Sequence, residues 1–183
     1  MNPTLQHDVS LDLVQEVIAR GEEVPLKAFG LSMGHTIHNG EWILVQRADP
    51  EQIRAGDIVL YRIPTTFVAH RVIRRWRDHG ELFFQTKGDG HFSSDSPPLR
   101  GTDVIARVLG VRGAAGVVRF DSTRGRVLAK LLLWHSLAVG RLYNFFRQTP
   151  HPGAPPGNSI RWIRHALLLP QGLLIRLWNR TVR

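Results

Sequence analysis

Between residues 42 and 120 the chain falls into six short runs rich in Val, Ile, Leu, Phe, Tyr and Trp, each closed by a turn-forming cluster. No other feature restricts the fold as strongly. The runs cover 42–46, 58–63, 67–76, 82–86, 104–111 and 117–120. The punctuation is Gly40, Ala55-Gly56-Asp57, Pro64, His79-Gly80, Gly88-Asp89-Gly90 and Arg112-Gly113. Glycine and proline supply the positive or fixed φ angles of tight turns, and close spacing between strands favours antiparallel neighbours. The expected class is therefore mainly β, as a small antiparallel barrel or coiled sheet. At 183 residues the chain can bury one core of ordinary size. Without cysteine it has no disulfide, thiolate nucleophile or Cys-based zinc site.

Helical periodicity flanks these runs. Over 10–20, Leu11, Val14, Val17 and Ile18 share one helical face, with Ser10 or Asp8 placed to cap the start and Gly21 to end it. Beyond Phe120, the residues Leu128, Leu131, Leu132, His135, Ala138, Val139, Leu142 and Phe146 read as one apolar stripe, with Arg126, Lys130, Arg141 and Asn144 on another face. Four prolines then interrupt the pattern, and a second basic, apolar segment follows. The expected organisation is an N-terminal helix at 1–22, a β domain at 23–120, a basic amphipathic helix at 121–148, a Pro/Gly linker at 149–158 and a C-terminal segment at 159–183.

The net charge of +9 is concentrated at one end. Residues 1–120 carry 14 Lys/Arg and 14 Asp/Glu, whereas 121–183 carry 10 Lys/Arg against Asp121 alone. Such a tail is drawn to polyanions, and its Leu and Trp content points to an anionic membrane surface rather than to nucleic acid, for which no recognisable module is present. The apolar stretches 131–140 and 165–175 fall short of the ~20 residues needed to span a bilayer. The N-terminus has no basic region followed by an apolar run, so neither signal peptide nor anchor is expected. The expected location is the cytoplasm, with peripheral attachment to the inner face of the membrane. The sequence does not specify an oligomeric state.

Four motifs follow one another within 28–112. They are Gly30-Leu31-Ser32-Met33 with Thr36 and Ile37; Gly56-Asp57-Ile58-Val59; His70-Arg71-Val72-Ile73; and Thr86-Lys87-Gly88-Asp89 with Asp95 six residues on. A serine hydroxyl needs an adjacent base to attack a carbonyl. Histidine can act as that base and then as acid near neutral pH, and a carboxylate on its far nitrogen fixes the tautomer. Ser32, in a turn after a glycine, and His70, within a strand run, could form such a pair.

The order and wording of these motifs resemble the signal peptidase I family, and within it the archaeal, endoplasmic-reticulum and sporulation-related branch, where a His-Arg pair replaces a catalytic lysine. The resemblance implies a serine endopeptidase that cleaves a precursor or leader peptide bound in extended form. It implies Ser32 as nucleophile, His70 as general base and Asp95, ahead of Asp89, as the orienting carboxylate. Asp89 reads instead as a turn-organising residue. Gly30, Leu31 and Met33 flank the nucleophile and are expected at the substrate site, with Met33 as core or as a wall near the scissile bond. No cofactor is expected. His35 and His38 have a spacing compatible with metal ligation but no third ligand, so no metal is expected.

Two departures from the family pattern accompany the resemblance. Gly34-His35 stands where a proline normally follows the Ser-Met pair, and Gly90-His91 follows Gly88-Asp89 in place of the usual small residue and asparagine. They leave open a catalytically impaired peptide-binding module on the same fold. A regulator of the self-cleaving LexA type is a third reading, weakened because its base is a lysine and no helix-turn-helix precedes the β region.

Overall fold

The computed structural model describes residues 3–148 apart from His35, Ala114 and Ala115. The linker expected at 149–158 and the basic segment at 159–183 lie outside the described residues, as do the side chains of Asn144 and Phe146. The architecture is mainly β. A helix α1 (Pro3–Ala19) leads into strands β1 (Val24–Lys27), β2 (Trp42–Gln46), β3 (Ile58–Ile63), β4 (Thr66–Asp78), β5 (Glu81–Lys87), β6 (Leu99–Arg100), β7 (Val104–Gly113) and β8 (Gly116–Arg119), and a long helix α2 (Thr123–Gln148) closes the described chain. The strands form one antiparallel sheet in the order β1-β2-β7-β3-β4-β5-β6. β8 also pairs with β7, along the edge that β3 occupies further back on the strand. The sheet is open, with β1 and β6 at its two ends, so the coiled-sheet form of the expectation is the one adopted.

Strand alternation divides the core in two. In β3, Ile58 and Leu60 join a cluster with Ile18, Met33, Ile37, Ile43, Val45 and Val108, while Val59 and Tyr61 pack with Ile53, Val72, Leu82 and Phe84. Successive side chains on a strand point to opposite faces, so one six-residue run feeds both clusters. The long strand β4 does the same for the site. Its first half pairs with β3 and its second half with β5, and the register shifts between Val72 and Arg74.

α1 begins at Pro3, earlier than the expected start, so Asp8 and Ser10 lie within the helix rather than at its cap. Gly21 ends it at φ 87°, its N–H donating to the Ile18 carbonyl. Gln46 at the end of β2 and Arg47 just after it donate to the Gly21 and Ala19 carbonyls, and Arg62 of β3 pairs with Asp12, which ties the helix to the sheet. The residues expected as one stripe of α2 are split. Leu128, Leu132 and Val139 are buried with Ala129, Leu133 and Ser136, whereas Leu131 and Leu142 are exposed with Val127, Trp134 and Phe145. The sheet meets the helix through Lys87 and Gly56, and those contacts set the buried arc.

Candidate active site

The two neighbouring motif pairs His70-Arg71 and Thr86-Lys87 are in register on adjacent strands: Arg71 faces Lys87 and Val72 faces Thr86. Alternation therefore puts His70 and Thr86 on one face and Arg71 and Lys87 on the other. The loop after β5 delivers one aspartate to each face. Asp95 meets His70, whose Nδ1–H donates to Oδ2 at 2.7 Å. The Thr86 hydroxyl donates to the same oxygen at 2.7 Å, and the Tyr61 hydroxyl approaches it at 3.4 Å. The loop is pinned at this point, because the Asp95 N–H donates to the Thr86 carbonyl and Gln85 Nε2 to the Asp95 carbonyl. Burial raises the Asp95 pKa, but the hydrogen bonds from His70 and Thr86, together with the nearby His70 and His91, outweigh it and leave the carboxyl below its ordinary value. Tyr61 is pushed up to about 12 by burial and by the Asp95 charge.

On the opposite face Asp89 is fully buried against Arg71. The guanidinium donates from Nε to Oδ1 at 2.8 Å and from Nη2 to Oδ2 at 2.6 Å, and from Nη1 to the Gly56 carbonyl at 2.7 Å. The Thr36 hydroxyl donates to Asp89 at 2.6 Å. Asp89 thus binds three segments: the Ser32 turn through Thr36, the strand through Arg71 and its own loop. Lys87 lies beside this pair and donates to the Ser136 hydroxyl at 2.6 Å and carbonyl at 3.0 Å. Burial lowers the pKa of Lys87.

Ser32 sits in a turn closed by the Gly34 N–H on the Leu31 carbonyl, followed by a second turn closed by the Thr36 N–H on the Met33 carbonyl. Gly34 adopts φ 58°, and a Cβ there would lie 3.2 Å from Gly90. Close approach of two glycine backbones, with the Gly90 N–H donating to the Ser32 carbonyl at 2.8 Å, holds the turn that a proline would otherwise stiffen. Gly88 is tighter still. A Cβ on it would stand 2.4 Å from the Ser32 carbonyl oxygen and 3.1 Å from both His70 Nε2 and His91 Nδ1. The Ser32 backbone and the His70 nitrogen not bound to Asp95 therefore converge on one point.

An apolar groove of about 400 Å³ leads to this point. It runs between the end of β1 with the following loop (Leu26, Ala28, Phe29) and the first half of β4 (Thr66 to Ala69). β5 pairs with β4 from Arg71 onward, so among the described residues no strand pairs with 66–70 on that edge of the sheet.

Each residue expected at the site can now be placed. His70 and Asp95 are hydrogen-bonded, and Asp89 is engaged elsewhere. Gly30, Ser32 and Met33 line the groove, with Met33 also in the core at 5% exposure. Leu31 stands 80% exposed. Sequence reasoning missed Tyr61, His91 and Ser136. Tyr61 lies opposite Val68 on the strand beside His70, so register alone would have found it once the β3–β4 hairpin was drawn. Ser136 had no comparable signal.

Residues 3–87 match the family described as Peptidase S24-like. Signal peptidase I W of Bacillus subtilis (strain 168) is 31% identical over 81 residues, covering 43% of this chain and 43% of that protein. The signal peptidase complex catalytic subunits SEC11C of Homo sapiens and Canis lupus familiaris are each 28% identical over 113 residues, covering 56% of this chain and 59% of theirs. The chain thus spans about half the length of the curated relatives it matches. Together with the order of the motifs and the open antiparallel sheet that carries them, these likenesses support a signal-peptidase-like S24/S26 family for this chain.

Proposed function

We propose that the chain is a serine endopeptidase that cleaves a precursor or leader peptide, with Ser32 as nucleophile, His70 as general base and Asp95 as its orienting carboxylate. The observation that carries this reading is the 2.7 Å bond from His70 Nδ1 to Asp95. It assigns the proton to Nδ1 and leaves Nε2 as the basic nitrogen, on the side where the Ser32 backbone lies. His70 would take the hydroxyl proton as Ser32 attacks and return it to the leaving amine, while backbone N–H groups, that of Ser32 among them, receive the oxyanion. The edge of β4 at 66–70, left without a partner among the described residues, suits an extended peptide added as a strand, with its side chains in the adjoining apolar groove.

The relatives are named signal peptidases, which supports the substrate class assigned here, a precursor or leader segment. The test is cleavage of precursor-derived peptides with small residues around the scissile bond. Ser32→Ala and His70→Ala should abolish turnover, and Asp95→Asn should lower kcat by ~10²–10⁴-fold with little change in KM. Cleavage that survives in both Ser32→Ala and His70→Ala refutes the assignment.

The outward face of α2 supports attachment to an anionic membrane surface. Val127, Leu131, Trp134, Leu142 and Phe145 are exposed at 40–70% and recur at helical spacing, with Arg124, Lys130 and Arg141 beside them. Among the described residues no helix is long and apolar enough to cross a membrane, so the contact assigned to α2 is interfacial. A cytoplasmic location, peripheral on the inner face, accords with this reading.

A further inference from the structure

The loop between β5 and β6 holds both ends of the site together, yet much of it faces solvent: His91, Ser93 and Ser94 are exposed, and Phe92 between them is partly covered. Two hydrogen bonds tie the loop to the site. The Gly90 N–H donates to the Ser32 carbonyl at 2.8 Å and the Asp95 N–H to the Thr86 carbonyl at 2.9 Å. Between those ties Phe92 rests on α2. Its ring lies flat on Tyr143, with the planes 9° apart and the centroids at 4.3 Å. One turn back along the helix, a Cβ on Gly140 would stand 3.1 Å from the Phe92 carbonyl oxygen, so glycine there lets the helix backbone come close to the loop. A further turn back, Ser136 receives Lys87, the residue that opens the loop. Ser136, Gly140 and Tyr143 recur at i, i+4 and i+7 and so share one face of α2. Trp134 is 70% exposed and points away.

We infer that this face of α2 belongs to the catalytic apparatus, with Tyr143 as a positioning residue that acts through Phe92 on the Ser32 turn and the His70–Asp95 pair. His91 alone separates Phe92 from Gly90, and Ser93 and Ser94 alone separate it from Asp95. Tethers this short transmit a shift of the ring to both ends of the site. The peptide groove is lined instead from α1 and from segments 26–33 and 66–69, so the support bears on turnover rather than on peptide binding. The effect on turnover rests on the function proposed above; the effect on the loop does not.

The two effects are read separately. Amide hydrogen exchange of the full chain reports on the loop with no substrate present. Tyr143→Ala and Phe92→Ala should each speed exchange of the Gly90 and Asp95 amides by about tenfold, the worth of an aromatic pair. The double variant should exchange no faster than either single one, because both remove the same contact. Amides paired between β2 and β7 should keep their wild-type rates, which separates local release from unfolding. Tyr143→Phe retains the ring and should retain protection, as should Trp134→Ser on the outward face. Wild-type exchange at both loop amides in Tyr143→Ala and Phe92→Ala, or effects that multiply in the double variant, overturns the support. In the peptide assay, Tyr143→Ala and Phe92→Ala should each lower kcat by about tenfold or more with KM unchanged, since a misplacement of ~1 Å costs up to about 10²-fold. Tyr143→Phe should restore kcat. Faster exchange with unchanged kcat overturns the catalytic role and leaves the peptidase reading standing. A wild type that cleaves no peptide removes that reading and the catalytic role with it, while the exchange rates still decide the support.

Discussion

Lys87 shows how far a single residue can depart from its ordinary behaviour when a fold encloses it. It is 3% exposed, donates to Ser136, and lies beside Arg71 and Asp89. Burial disfavours the ammonium, with Asp89 offsetting part of that and Arg71 adding to it. Because the folded pKa is depressed below 10.5, the unfolded chain binds the proton more tightly, and stability rises with pH from the folded value up to the ordinary one. The difference in unfolding free energy between wild type and Lys87→Met should therefore shift in favour of wild type as pH is raised from 7 towards 10. Urea denaturation at the two pH values measures it, and a shift in the opposite direction contradicts the account. Nothing in Thr86-Lys87-Gly88-Asp89 marks the lysine as buried, since its cover comes from a helix about fifty residues further on. The His70–Asp95 pair, by contrast, was foreshadowed by motif order, because both ends of that bond lie inside the motif region. Tyr61 and Thr86 complete the pair from positions that only strand register defines.

At the scale of elements, the loop from Gly88 to Pro98 joins the two faces of the sheet. It carries Asp89 to the Arg71 side and Asp95 to the His70 side, and its glycines make room for the Ser32 turn. α2 supports it from outside through Lys87–Ser136 and through Phe92 stacked on Tyr143, centroids 4.3 Å apart. The worth of its contacts follows from their burial. Asp89–Arg71 is fully buried and bidentate, so Asp89→Ala would leave an uncompensated guanidinium and is expected to cost about 3–5 kcal/mol. Glu51, which meets Arg75 and Arg77 at the surface, should cost under ~1 kcal/mol when replaced by alanine. Chemical denaturation of both variants decides the point, and equal losses would contradict the ranking. Most strands were legible because alternation and turn residues agree along β2, β3, β5 and β7. The short strands β1 and β6 were missed. Four and two residues hold too little periodicity, and they exist because a neighbour offers a pairing edge.

Across the whole molecule, the neutral β domain and the cationic end meet along α2. This helix has two apolar sides, and its sequence alone could not say which of them the sheet would take. The contacts at Gly56, Lys87 and Phe92 fix the buried arc, and Leu131, Trp134 and Phe145 are left outward as a consequence. A lipid interface would cover them at a gain of roughly 1.5–3 kcal/mol for each large apolar side chain fully buried. Each Lys or Arg close to an anionic surface adds about 1 kcal/mol. Because Leu131 is only half exposed, the double variant Leu131→Ser with Trp134→Ser should lose at least about tenfold in vesicle affinity, below the full transfer value. Both side chains are exposed, so folding and peptide cleavage should persist. Phosphatidylcholine vesicles containing phosphatidylserine are the probe, with sedimentation as the readout for both proteins. Added salt should weaken the wild type by screening the cationic part, and the apolar contribution should survive it. Equal binding by wild type and variant would mean that α2 does not face the lipid.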